Sequence, residues 1–336
     1  MSASAGALLW CALFATIAAV GTWGARAYAI RRRLFDEPGE RRSHAVATPR
    51  GGGIAILLAL LVAIMVLALR QPREIVLLAC AGFGLLLVAG IGWIDDHRPL
   101  SPWSRLAVHA VASGWLMAGF YLSGSGGAVA IAVFVLSLVL INVWNFMDGI
   151  DGLATSQAAL VAAAFAWLAG GALAVHLGLA FIGSLLGFLP FNFPRARIFL
   201  GDVGSGALGF GLALMAGLAL DALPVEAWPL VALPLGAFLI DAGLTLVSRI
   251  LRGERWWTPH VEHAYQRWAR RAGSHVPATV GFAAWTAAGC GLMVWLGGAT
   301  AEGNAMVVAL WLTLGSVSWS WLRRRPTPAA NGERGA

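Results

Sequence analysis

The chain contains no lysine, only three cysteines, and few charges of either sign: 12% of its 336 residues are charged. An ordinary soluble domain carries roughly 25%, so this scarcity excludes a soluble globular fold. Cys11, Cys80 and Cys290 stand singly inside apolar stretches, without the spacing of a metal site or a disulfide framework, and read as small core residues. No basic segment precedes the first apolar run, and Arg31, Arg32 and Arg33 follow it. That order argues for a membrane anchor with its amino terminus outward rather than a signal peptide.

What is present is hydrophobic. Apolar residues make up 59% of the chain and gather in runs near the roughly 20 residues that cross a bilayer core. The runs begin near Gly6, Gly51, Ile75, Leu106, Ala128, Leu153, Ala174, Gly204, Ala227, Pro277 and Asn304. The stretch from Leu153 to Pro190 would overshoot the bilayer as one helix at about 1.5 Å per residue, so it is expected to break near Gly170 and Gly171. The expected fold class is an all-α integral membrane protein, a polytopic bundle of about eleven transmembrane helices. Residues 1–322 form a single transmembrane domain in this reading, and residues 323–336 a disordered cytoplasmic tail.

Arginine alone reports the topology. With that number of spans, the loops after spans 1, 3, 5, 7 and 9 share a face with the carboxyl tail and hold every arginine except Arg70 and Arg73. Cytoplasmic loops collect basic residues, which places this face and the carboxyl terminus in the cytoplasm and the amino terminus in the periplasm. The same bias accounts for the net charge of +7 without a nucleic-acid partner.

The chemistry-bearing residues lie on that face. Arg41, Arg42 and Arg50 share a loop with His44 and the glycine run Gly51 to Gly53; guanidinium groups suit bidentate phosphate contacts. Asp95 and Asp96 end the third run, and adjacent carboxylates need a cation or a shared proton. Asn142, Asn145, Asp148 and Asp151 are spaced three apart, so the first three share an arc on a continuing helix and offer hard oxygen ligands for Mg²⁺. Asp202, flanked by Gly201 and Gly204, opens the next run. There, free backbone N–H groups and a carboxylate suit a metal-bound phosphate, and an ordinary N-cap is the simpler alternative.

The loop after span 9 carries His260, His263 and Arg267 among further arginines and tryptophans. It lacks a third zinc ligand at suitable spacing and reads as a phosphate or sugar contact, or as an amphipathic interfacial helix. Asp241 reads as a helix-packing residue; His97 and His109 have weaker claims, and His176 and His275 have none. A transporter would instead place ionisable groups near mid-membrane.

In order, these motifs are Asp36 to His44, Thr48 to Gly53, Asp95 and Asp96 with Leu100 to Pro102, Asn142 to Gly152, and Gly201 to Ser205. In this combination the chain resembles the polyprenyl-phosphate N-acetylhexosamine-1-phosphate transferases. The resemblance implies attack of a lipid phosphate on the β-phosphorus of a UDP-N-acetylhexosamine, giving lipid pyrophosphoryl sugar and UMP. It further implies Mg²⁺, with Mn²⁺ as an alternative, undecaprenyl phosphate as acceptor, and a multi-pass place in the bacterial inner membrane with a cytoplasmic active site. Initiation of O-antigen or another cell-envelope polysaccharide is the implied role, and a homodimer is compatible with it.

By the same resemblance Asp202 is the primary metal ligand and Asn145 a second. Asp95 is the base or acceptor-phosphate group, with Asp96 beside it, and Asp148 and Asp151 serve metal or nucleotide. Arg41, Arg42, His44, Arg50, Asn142, His260, His263 and Arg267 contact substrate. The family's usual His-x-His-His cluster is replaced here by His260-Val-Glu-His263-Ala-Tyr-Gln-Arg267, the form of members that start O-antigen units from deoxy as well as ordinary amino sugars. The Asp-Gly-x-x-Ala-Arg pattern of CDP-alcohol phosphotransferases is absent.

Overall fold

The computed structural model describes residues 3–37, 46–255, 257–258, 260–296 and 300–324. Backbone polar groups in lipid must be satisfied within the segment that carries them, and the apolar runs accordingly fold as helices. They are α1 (Ala3–Arg32), α2 (Ile54–Arg70), α3 (Ile75–His97), α4 (Pro102–Leu122), α5 (Gly127–Phe146), α6 (Leu153–Ala169), α7 (Ala172–Asn192), α8 (Gly201–Ala222), α9 (Ala232–Leu251), α11 (Val276–Leu296) and α12 (Ala301–Arg324). Between α9 and α11 lies α10 (Ala264–Ala272), nine residues long and strongly amphipathic. The strands β1 (Phe35–Asp36) and β2 (Thr48–Pro49) pair antiparallel in the first polar loop.

Each apolar run coincides with a helix, and the protein is a multi-pass membrane protein. Among the described residues, eight helices are long and apolar enough to cross a bilayer, while α2 and α6 are apolar helices of 17 residues. The expected break holds: α6 stops at Ala169, Gly170 turns left-handed at φ 65°, and α7 starts at Ala172. The ninth apolar segment spans Val225–Leu251, and within it Val225–Val231 winds as a 3₁₀ turn around Pro229 before α9. The tail also needs correction. Helix α12 continues through Arg323 and Arg324, and the Arg323 guanidinium is tied to Glu262 at 3.0 Å. Residues 325–336 lie outside the described residues.

Helix α8 is the hub, packed against α3, α5 and α6 and buried along nearly its whole length. Helix α12 is the opposite, with Leu310, Leu314, Val317 and Trp321 all exposed on its outer face. Exposed apolar side chains also cover α1 and α2, as a hydrocarbon surrounding allows. The first turn of α8, held deep between neighbours, is where the polar residues converge.

Candidate active site at the start of helix α8

The approach to α8 is stitched by backbone and amide hydrogen bonds. Phe199 N donates to Pro49 O at 2.8 Å, Gly52 N to Phe199 O at 2.9 Å, and Gly53 N to Leu200 O at 2.9 Å. Buried Asn192 accepts from Gly152 N at 3.1 Å and donates to Ile198 O at 3.2 Å. The starts of α2, α6 and α8 are thereby fixed together.

Asp96, 5% exposed, sits beneath the first turn of α8. Its carboxylate accepts from Asp202 N at 3.1 Å and Val203 N at 3.3 Å, and Arg50 donates to its carbonyl oxygen. Gly201 has φ 73°, and a Cβ there would lie 2.6 Å from an Asp96 carboxylate oxygen, so only glycine fits. These bonds correct the expectation that the N–H groups opening α8 are free for a phosphate: Asp96 already occupies two of them.

The neighbouring Asp95 faces the other way. One oxygen accepts from Leu100 N at 2.6 Å; the other meets Arg105 Nη1 at 2.9 Å, and the same nitrogen lies 2.9 Å from Asp202 Oδ2. Arg105, which the sequence did not single out, thus bridges the two carboxylates assigned by resemblance to acceptor and metal. Asn145 joins from α5, donating Nδ2 to Asp202 Oδ1 at 3.0 Å and to Ser205 Oγ at 3.1 Å. Asn142 turns back on its own helix, donating to Leu138 O at 2.7 Å.

Helix α5 ends at Phe146, so Asp148 and Asp151 stand in the turn before α6 and not on a continuing helix. Among the described residues the Asp148 carboxylate makes no side-chain hydrogen bond. Burial, with Asp202, Asp96, Asp36 and Asp151 adding repulsion, pushes its pKa well above the ordinary carboxylate value. Asp151 is held by His275, whose Nδ1 lies 3.2 Å from Asp151 Oδ2, while Thr279 donates to Asp151 O at 2.8 Å. His275, given no role from sequence, is therefore a neighbour of the site.

The last loop reaches the same region through a second buried carboxylate. Asp241, 2% exposed, accepts from Ala264 N at 2.8 Å and Tyr265 N at 3.0 Å, and His263 Nδ1 lies 3.5 Å away. It caps α10 as Asp96 caps α8, so its structural reading holds. The Tyr265 hydroxyl then donates to Phe146 O at 3.1 Å, docking α10 on the end of α5. The His260 ring lies 4.9 Å from the His263 ring, and burial, followed by His263 and Arg249, holds its pKa down to about 4.

Arg267 donates to Arg323 O at 2.8 Å and is committed to α12. Arg41, Arg42 and His44 lie outside the described residues. Beside Asp151 and His275 opens a cavity of about 760 Å³ bordered by Arg26, Arg195, Arg197 and Arg270. A carboxylate-rich centre therefore abuts a basic cavity.

The family described as glycosyl transferase family 4 matches residues 75–219, a span that holds Asp95, Asp96, Arg105, Asn145, Asp148, Asp151 and Asp202. Over those residues the chain is similar to that family. It is 29% identical over 280 residues to decaprenyl-phosphate N-acetylglucosaminephosphotransferase of Mycobacterium leprae, covering 71% of this chain and 70% of the relative. It is also 29% identical over 255 residues to a probable undecaprenyl-phosphate N-acetylglucosaminyl 1-phosphate transferase of Bacillus subtilis, covering 71% and 70%. A phospho-N-acetylmuramoyl-pentapeptide-transferase of Moorella thermoacetica is 33% identical over 205 residues, 52% of this chain and 63% of the relative. The family match ends before the loop of His260 and His263, and that loop joins the site through Asp241 and Tyr265.

Proposed function

We propose that the protein transfers N-acetylhexosamine-1-phosphate from a UDP-sugar to undecaprenyl phosphate at the cytoplasmic face of a bacterial inner membrane. The products are undecaprenyl-pyrophosphoryl sugar and UMP, and the reaction begins O-antigen or another cell-envelope polysaccharide. The topology that accompanies this reading has eleven crossings, one for each apolar helix. The observation that carries it is the chain Asp95, Arg105, Asp202, Asn145, in which a guanidinium and an amide converge on one carboxylate. The names of the relatives, which pair polyprenyl phosphates with amino-sugar phosphates, support it.

The donor set fits a divalent cation. The Asp148 carboxylate stands among repelling carboxylates, and among the described residues no three His, Cys, Asp or Glu side chains are grouped so as to hold a metal ion by themselves. Mg²⁺ is characteristically held by one or two carboxylates and completed by water and substrate phosphates. Asp202 and Asp148 would hold it, with Asn145 contributing oxygen after rotation of its amide, and Mn²⁺ could stand in its place. Bound there, the cation supplies charge neutralisation for the phosphates.

The remaining work falls to the chain itself. The acceptor monoester, with a second pKa of about 6, is largely dianionic at neutral pH and needs alignment more than deprotonation. Arg105 is placed to orient an acceptor phosphate oxygen next to Asp95. The P–O bond between the β-phosphorus and the UMP oxygen breaks as the bond to the lipid phosphate forms, and the arginines of the basic cavity receive the departing nucleotide phosphate.

The test is UMP release by purified protein given undecaprenyl phosphate, Mg²⁺ and a panel of UDP-N-acetylhexosamines, beside Asp202→Ala. Release that needs lipid, cation and Asp202 supports the reading and names the donor. No release from any donor by folded protein overturns it in favour of a transporter.

A further inference from the structure

Helix α10 has two working sides. Tyr265 reaches α5, whereas Trp268 and Arg271, three residues apart, border a separate cavity of about 660 Å³ between α9, α10, α11 and α12. Its walls are mainly apolar: Ile240 from α9, Phe282 and Trp285 from α11, and Trp319 from α12. Ser318 lies at its exposed edge. Because α12 turns its apolar face outward, this opening faces the hydrocarbon and not a protein interior.

The polar end is one-signed. Arg271 borders the cavity, and α12 ends beside it in Arg323 and Arg324. The nearby acids are already engaged: Asp241 by two backbone N–H groups and His263, and Glu262 by Arg249, Arg252 and Arg323. A positive rim above an apolar, tryptophan-lined trough at a membrane interface is complementary to an anionic headgroup with a hydrocarbon chain.

We propose that this cavity is a binding site for an anionic diacyl phospholipid of the surrounding membrane, distinct from the acceptor site. The chain lies along Phe282, Trp285 and Trp319, and the headgroup meets Arg271. Asp241 and Ala264 line the inner end of the cavity, and the same Asp241 caps α10. The lipid thus supports, from outside, the helix that docks on α5 through Tyr265.

The test reads binding, independently of any transferase activity. Full-length protein is reconstituted in nanodiscs of phosphatidylcholine with a minor fraction of phosphatidylglycerol, then extracted in mild detergent, and retained lipids are counted by native mass spectrometry. Wild type is expected to retain about one phosphatidylglycerol per chain. Arg271→Gln is expected to lower the preference for phosphatidylglycerol about fivefold. Ser318→Trp, which fills the opening from its exposed edge, is expected to lose the retained lipid while remaining monodisperse. Equal retention and headgroup preference in all three proteins overturns the proposal. So does displacement of the retained phospholipid from wild type by undecaprenyl phosphate, which would make the cavity the acceptor's own.

Discussion

The Asp96 carboxylate accepts the backbone N–H of Asp202 at 3.1 Å, across 106 residues of sequence. The end of α3 therefore sets the position of the first turn of α8, and the adjacent acids Asp95 and Asp96 divide their work. Asp96 builds the site from below, and Asp95 faces Arg105, which also meets Asp202.

This division predicts different phenotypes for the two acids. Asp96→Ala removes the acceptor of two buried N–H groups and is expected to lower stability by about 3 kcal/mol. Asp95→Asn, at a position bonded to Arg105 and Leu100, is expected to unfold near the wild-type temperature while losing activity. Thermal unfolding in detergent beside UMP release separates the two; equal destabilisation would contradict the assignment.

Arg105 should matter as much as any carboxylate. Its Nη1 is 2.9 Å from both Asp95 and Asp202, so Arg105→Ala is expected to reduce turnover about 10²-fold. Arg105→Lys, which keeps the charge, should recover part of the loss. Steady-state kinetics on both variants checks this, and turnover unchanged in Arg105→Ala would remove Arg105 from the site.

The helices were legible in the sequence because hydrocarbon thickness imposes a length that composition displays directly, down to the break at Gly170. Asp202 was legible because glycines mark the helix start on either side of it. Arg105 was not: an arginine near a membrane face is explained by insertion bias, and nothing local shows that it points at acids ten and 97 residues away. His275 was hidden for the same reason, its partner Asp151 lying 124 residues earlier. The bond of Arg267 to α12 was not legible either, because its guanidinium donates to the carbonyl of Arg323, 56 residues later.

Asp148 gives a prediction about cations. Its raised pKa means that the folded state holds a proton the unfolded state releases, so its contribution is full below the ordinary value of 3.8 and is lost as pH rises through the folded value. At neutral pH without divalent cation, Asp148→Asn is expected to unfold at a higher temperature than wild type. Adding Mg²⁺ should stabilise wild type more than the variant. Equal stabilisation of both by Mg²⁺ would exclude Asp148 as a ligand.

His260 gives the opposite sign. Its pKa falls from 6.5 to about 4 on folding, so the unfolded chain takes up the proton first and stability declines as pH drops through that interval. His260→Gln is expected to flatten this decline. Unfolding temperatures measured across the interval decide it, and superimposable profiles would show that His260 does not titrate as described.

The most direct test of the proposed reaction follows the β-phosphorus. Protein is incubated with undecaprenyl phosphate, Mg²⁺ and the UDP-sugar that supports turnover, labelled with ³²P in the β-phosphate. Transfer of sugar-1-phosphate places the label in the organic-extractable lipid and leaves UMP unlabelled; label remaining in UDP while sugar alone enters the lipid would contradict the account.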